Sequence, residues 1–413
     1  MYNGKKGLRC RVCTGCGLCP GVTPEGGGAG NIHVLAEEGL SEGDWPETVS
    51  GRRLAAADLG TTTIAMLLYG ADGRVAERYV AVNPQTAYGA DVISRIRAAE
   101  DREKAEAMQR QALEVLERGI RRFQKRLAPG ESLQLALAAN TTMTYLLTGR
   151  DTSELGCAPF RASGLSAVNT EIGGVPCFIF PGMSAFVGGD ITAGLYACGM
   201  GEREEITLFV DLGTNGELAL GNRDRRIACA TAAGPAFEGG ANRGIWGADM
   251  VSILAALRRE GLLDETGLLA EPWFDTGVRA GNVPVTREAV RSLQLAKAAV
   301  AAGIGILLER YGITAGEVER VILAGGFGYY LKPEDAADIG LLPEKLAEKA
   351  EAGGNTALAG GRRAAGGLLG PEERREELFR ELKALTEGTE CLNLAEEPDF
   401  GERYLERMAL KRL

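Results

Sequence analysis

Residues 208–217 read Leu-Phe-Val-Asp-Leu-Gly-Thr-Asn-Gly-Glu, and the fold follows from how this stretch is read. The run 206–210 has the apolar character of a buried strand. It ends in Asp211, and Gly213, Thr214, Asn215 and Gly216 follow. Gly216 opens backbone angles closed to other residues, so the chain can reverse sharply there. In such a turn several N–H groups and the Thr214 hydroxyl can face one anion. An aspartate beside a phosphate is repelled unless a cation lies between them, so Asp211 points to Mg²⁺ or to a water it orients. Taken alone, the stretch reads first as an ordinary hairpin with a polar turn.

The device occurs twice. Residues 54–63 read Leu-Ala-Ala-Ala-Asp-Leu-Gly-Thr-Thr-Thr and lead into apolar residues 64–69. Asp58 and Asp211 stand about 150 residues apart, close to one domain length. Two copies predict two similar lobes, each offering a phosphate-binding hairpin to a shared cleft. A third element follows, a short strand at 321–324 running into Gly325-Gly326-Phe327-Gly328, where backbone can approach a bulky ligand closely. This order of Asp hairpin, Asp hairpin and Gly-Gly resembles the actin, sugar-kinase and Hsp70 ATPase superfamily. The fold class expected from it is α/β, two duplicated ribonuclease H-like lobes with a small N-terminal iron–sulfur segment.

Composition sets the outer bounds. The 413 residues suffice for two or three domains with real cores. Hydrophobic content of 45% and charged content of 25% are those of an ordinary globular protein. The sequence shows no uninterrupted apolar run of the ~20 residues that span a membrane. The N-terminus is basic and lacks the apolar stretch of a signal peptide, so the cytoplasm is the expected location. A net charge of −10, with both signs mixed along the helices, argues against a nucleic-acid partner. A single histidine, His33, excludes multi-histidine metal sites.

Residues 1–50 form a separate segment. Cys10, Cys13, Cys16 and Cys19 follow at two-residue gaps, with Pro20 next. The run approximates the bacterial ferredoxin pattern with one residue missing from the last gap, which suits a [4Fe–4S] cluster. A remote cysteine is an alternative to Cys19 as fourth ligand. Zinc is the main rival, although structural zinc sites usually split their ligands into two separated pairs, and disulfides come third. The other five cysteines stand in apolar or motif contexts and read as buried small residues.

From residue 51 the pattern gives lobe I at 51–187 and lobe II, with the C-terminal tail, at 188–413. Residues 54–82 read as a strand meander. The loop 83–91, Asn-Pro-Gln-Thr-Ala-Tyr-Gly-Ala-Asp, either borders the cleft or caps the next helix. Helices are expected at 90–99 and 102–127, from Gly188-Gly189-Asp190 to about Cys198, and over 246–259 and 286–311. The tail from 391 is expected to form a strand and a short helix.

Several stretches narrow the resemblance. They are residues 83–96, 140–143, 188–191, 211–217, 233–239, 294–299, 324–328 and 353–360. Occurring in that order over about 50–413, they are similar to the reductive activators of corrinoid proteins, ATP-dependent iron–sulfur reductases. Many members of that family carry an N-terminal plant-type [2Fe–2S] domain. This chain has instead a compact cysteine run, closer to members that use ferredoxin-like clusters.

The resemblance implies ATP, Mg²⁺ and a [4Fe–4S] cluster as cofactors, and a corrinoid protein or other metalloenzyme as electron acceptor. It also implies a low-potential donor such as a ferredoxin; a homodimer is left open. Asp58 and Asp211 would position Mg²⁺ and the attacking water. Gly60, Thr61, Thr62, Thr63, Gly213, Thr214, Asn215 and Gly216 would hold phosphates. Gly325, Gly326, Phe327 and Asn355 would border adenosine. Lys297 either touches the ribose or is a solvated helix lysine. Moving one electron ~200 mV uphill costs about 4 to 5 kcal/mol. Shifting a two-state closure fully takes about 5.5 kcal/mol of differential binding, so nucleotide-driven closure is a sufficient source. The rivals are a metabolite kinase of the same superfamily, which leaves the cysteine run unused, and a nucleotide switch with structural zinc.

Overall fold

The structure is a computed structural model that describes Leu40, Trp45, Pro46 and residues 51–213, 215–237, 247–280 and 283–413. Cys10, Cys13, Cys16, Cys19 and Thr214 lie outside the described residues. The described chain forms two units. The first takes the described residues up to Glu202 together with Asn355–Cys391; the second takes Arg203–Gly354 and Leu392–Leu413.

In the first unit, β1 (Arg52–Leu59), β2 (Thr63–Tyr69), β3 (Val75–Val82), β4 (Ser132–Ala139), β5 (Val168–Ile172) and β6 (Val175–Ile179) form one sheet. Its order is β3-β2-β1-β4-β6-β5. β1 runs antiparallel to β2 and parallel to β4, which is in turn parallel to β6. Burial on both faces explains the unbroken apolar run 54–57. Ala55, Ala57 and Leu59 enter one core with Met108, Val115, Ile120 and Phe123 from the amphipathic helix Arg102–Gln124. On the other face, a Cβ on Gly361 would lie 2.7 Å from the Cβ of Ala56, so the helix Thr356–Arg363 rests almost directly on β1.

The second unit repeats the plan with β7 (Thr207–Leu212), β8 (Gly216–Gly221) and β9 (Arg226–Thr231). A small hairpin, β10 (Val278–Ala280) and β11 (Val283–Val285), stands apart. β12 (Arg320–Ala324) and β13 (Ala350–Gly354) extend the sheet in the order β13-β12-β7-β8-β9, and β14 (Thr389–Leu392), which straddles the division at 391/392, is its last strand after β9. The core order β3-β2-β1-β4-β6 thus matches β9-β8-β7-β12-β13, with antiparallel hairpins first and parallel strands after. The two sheets are copies of one design, as the repeated hairpin predicts.

The helix Arg287–Tyr311 packs on β8 and β9: a Cβ on Gly303 would press on Leu218 and Thr231 at 2.8 and 2.9 Å. By length and composition alone this helix is long and apolar enough to cross a membrane, though charged residues interrupt its sequence. It lies in the core of the second unit, with 72% of its most apolar window buried.

The division differs from the boundary expected at 187/188. The helix Gly189–Ala197 stays with the first unit, and so does the segment that starts at Asn355. The reason is close packing, since a Cβ on Gly360 would lie 2.2 Å from the Ala193 carbonyl oxygen. Loss of a side chain there lets the two helices pack backbone to backbone. The loop from Asn83 forms a short 3-10 helix at Pro84–Ala87, and the following helix, Val92–Ala99, is capped by Asp91.

Candidate functional site

In the first unit the site is built at the C-terminal edge of the sheet, where β1 runs into Gly60, β4 runs into Asn140, and the helix after β6 carries Asp190 in its first turn. This is the edge at which open α/β sheets bind their ligands. β1 pairs Asp58 with Ala65 and Leu59 with Ile64, which leaves residues 60–63 as the hairpin tip. The Gly60 N–H donates to the Thr63 carbonyl at 3.0 Å, and any Cβ on Gly60 would sit 2.8 Å from that oxygen. Two asparagines brace the tip. Asn83 donates its side-chain amide to the Gly60 carbonyl at 2.9 Å and its backbone N–H to the Thr62 carbonyl at 2.8 Å. Asn140 follows β4, caps the helix Thr141–Thr148 and donates to Thr61 Oγ1 at 3.0 Å. The loop from Asn83 therefore both caps a helix and buttresses the hairpin.

Asp58 accepts a hydrogen bond from Asn355 Nδ2 at 2.8 Å. Burial pushes its carboxyl up to about 6, against the opposing pull of that amide. Asp190, in the first turn of the helix that follows β6, is pushed up to about 7, by burial first and then by the charge of Asp58. Two buried carboxylates, one of them raised further by the charge of the other, favour a shared proton or a cation. Oxygen donors of this kind suit Mg²⁺, which usually binds one or two carboxylates and takes its remaining ligands from phosphate and water.

In the second unit, β7 pairs Asp211 with Glu217 and Leu212 with Gly216, so Gly213 and Asn215 lie in the tip. The Gly213 N–H donates to the Asn215 carbonyl at 2.9 Å, and the Thr231 hydroxyl donates to the Gly216 carbonyl at 3.0 Å. Gly325 has φ +79°, and a Cβ there would lie 2.5 Å from Asp211 Oδ1. The Gly-Gly element and the second hairpin thus meet, with only glycine fitting at 325. Gly326 is half-buried beside it, while Phe327 turns into the core of the unit at 7% exposure.

Two expected adenosine contacts are placed elsewhere. Asn355 spends its carbonyl oxygen on the Leu358 N–H and its amide nitrogen on Asp58, so it is a clamp on the first hairpin. Lys297 is fully buried, with Nζ donating to the carbonyls of Ala409 and Gly340. Burial, reinforced by Arg407 and Lys411, lowers its ammonium to about 7, which fits neither a solvated lysine nor an exposed ribose contact. Gln294, one turn earlier, likewise donates to the Thr266 and Met408 carbonyls. Together they hold the C-terminal tail to the helix.

Asp190 was missed as a site residue, although an acidic residue opening a helix at 188–191 was visible. The signal that finds it is its place after β6, on the same sheet edge as Asp58. Among the described residues no group of three or more His, Cys, Asp or Glu is assembled to hold a metal.

Two like sheets, each with an Asp hairpin next to its central parallel strands, define the duplicated α/β class of actin, sugar kinases and Hsp70. The family follows from direct comparison. The model of the RACo middle region matches residues 54–203, and that of the C-terminal domain of RACo, the ASKHA domain, matches residues 205–243 and 241–413. The chain belongs to the RACo family. It is 30% identical over 418 residues to the corrinoid activation enzyme RamQ of Eubacterium limosum, covering 85% of this chain and 69% of that protein. A solved reductive activator for corrinoid, iron–sulfur protein superposes with a TM-score of 0.76 at 29% identity, covering 88% of this chain and 67% of that one.

Proposed function

We propose that this chain is an ATP-dependent reductive activator of a corrinoid protein or a similar metalloenzyme. The observation that carries the reading is the Asp58–Asn355–Asp190 group beside the Gly60–Thr63 hairpin, in a chain matched by the RACo models over most of its length. The same reading takes the protein to be cytoplasmic, with a ferredoxin-type donor.

The residues supply positioning and proton transfer. N–H groups of the hairpin tips hold phosphate oxygens, and Asn83 and Asn140 keep the first tip in shape. A Mg²⁺ ion at the acidic pair would neutralise charge on the phosphates. Asp190, poised near neutral pH, suits a general base for the attacking water. That water's oxygen bonds to the γ-phosphorus, the bond to the bridging oxygen breaks with its electron pair leaving on ADP, and the water proton passes to the carboxylate pair. Asp211 performs the corresponding orienting role in the second unit. A [4Fe–4S] cluster on Cys10, Cys13, Cys16 and Cys19 would supply one low-potential electron at a time.

Anaerobic metal analysis with EPR after dithionite reduction tests the redox half. About four irons per chain and a fast-relaxing S = ½ signal are expected. One zinc per chain with no signal overturns it and promotes the kinase or switch alternatives. For the ATPase half, Asp58→Ala and Asp211→Ala should each bind nucleotide but lose hydrolysis. Wild-type hydrolysis in both variants overturns the site.

A further inference from the structure

Between the cysteine run and β1 the chain is gripped at Trp45. Its indole N–H donates to the Ala71 carbonyl at 2.9 Å, in the turn between β2 and β3. Its ring lies 5.6 Å from that of Tyr69 at the end of β2. Gly73, at φ +72°, leaves room for the indole, because a Cβ there would come within 2.6 Å of it. The guanidinium of Arg362 lies over the ring at 5.8 Å, and Arg362 Nε also donates to the Gly73 carbonyl at 3.4 Å. A stretch whose composition suggests a plain linker therefore has a built socket in the first unit.

The far wall of that socket leads to the nucleotide site. Arg362 is in the last turn of the helix Thr356–Arg363, and the residue capping the other end is Asn355, which holds Asp58. The seven steps from Asn355 to Arg362 span roughly 10 Å at the helical rise. Gly360 and Gly361 press this helix against Ala193 and Ala56, so it has little freedom to bend. Whatever draws on or releases the Asp58 carboxylate acts on Asn355, and through one short rod on the cation lying over Trp45.

Resting on the functional reading above, we propose that Trp45 is the positioning residue that couples the nucleotide state at Asp58 to the segment bearing the cysteine run. In this role Trp45 acts through Arg362 and Asn355.

The test uses the full chain carrying Trp246→Phe and Trp273→Phe, which leaves Trp45 as the one tryptophan of three. Saturating Mg-ADP, or a non-hydrolysable ATP analogue, should change Trp45 emission. Adding Arg362→Gln should abolish that change while a fluorescent nucleotide still binds. In the otherwise native protein, Trp45→Leu should keep ATP hydrolysis within about twofold and lower cobalt reduced per ATP about tenfold, as loss of a partly desolvated cation–π contact would. Trp45→Phe, which keeps a ring under Arg362, should fall between the two and guards against misfolding of the leucine variant. Nucleotide binding with no change in Trp45 emission overturns this inference alone, as does full coupling in both Trp45 variants. Failure to bind nucleotide at all overturns the functional reading, and this inference with it.

Discussion

Asp58 and Asp190 show how far one residue's chemistry depends on its neighbours. Each is an aspartate with an ordinary solution value near 4. In the fold, burial takes Asp58 to about 6, and burial together with the charge of Asp58 takes Asp190 to about 7. A carboxyl raised in the folded state contributes stability in its protonated form, present below the unfolded value and lost as pH rises through the folded one. Between pH 4 and 7 the pair therefore makes the first unit less stable as pH rises. Asp190→Asn should remove most of that slope, adding about 2 kcal/mol at pH 8, or roughly 4–8 °C in melting temperature, and nothing at pH 4. Melting curves at the two pH values check it; an equal shift at both would mean the pair is not the source. Gly325 is the second case. Its φ of +79° and the 2.5 Å approach of a Cβ to Asp211 Oδ1 make Gly325→Ala costly by about 2 kcal/mol, with loss of hydrolysis. Urea titration and a phosphate-release assay read the two effects separately.

Among the elements, the helix Thr356–Arg363 has most to do. Its cap grips Asp58, its middle packs on a neighbouring helix and on β1, and its end covers Trp45. Gly360→Ala would place a methyl 2.2 Å from the Ala193 carbonyl oxygen, which is backbone and cannot turn aside. The expected cost is about 3 kcal/mol, seen as a fall of roughly 6–12 °C in melting temperature. Gly366→Ala, in the next short helix with nothing within 4 Å, is the matched control and should be neutral or slightly stabilising. Equal losses in the two variants would show that close packing is not the cause. The elements themselves were largely visible in the sequence. Helices expected at 90–99 and 102–127 are found at Val92–Ala99 and Arg102–Gln124, and the tail forms β14 and the helix Phe400–Glu406. Apolar periodicity and capping residues act over a few positions, so they can be read locally.

At the scale of the whole molecule, duplication is the organising fact. Two sheets with matching strand order place Asp58 and Asp211 at equivalent ends of β1 and β7. A ligand that binds only the folded protein stabilises it by about 2.7 kcal/mol at a hundred times its dissociation constant. Mg-ATP and Mg-ADP should therefore raise the melting temperature by several degrees. Mg-GTP should do less if the Gly325-Gly326 element reads adenine. Matching shifts from ATP and GTP would remove the adenosine assignment while leaving the phosphate assignment standing.

The order of residues was enough to reveal a repeated strand–Asp–turn–strand device, a Gly-Gly element after a later strand, and four closely spaced thiols. Each is a short-range pattern, legible because a turn or a buried strand is specified by adjacent residues. Other properties arose on folding. Asn355 clamps Asp58 across 297 positions, Lys297 is buried against tail carbonyls, Asp190 joins the acidic pair, and the segment from Asn355 returns to the first unit. Those outcomes depend on through-space distance and on exclusion of water. Both are set by which helices can approach closely enough to pack, and no run of neighbouring residues encodes that approach by itself.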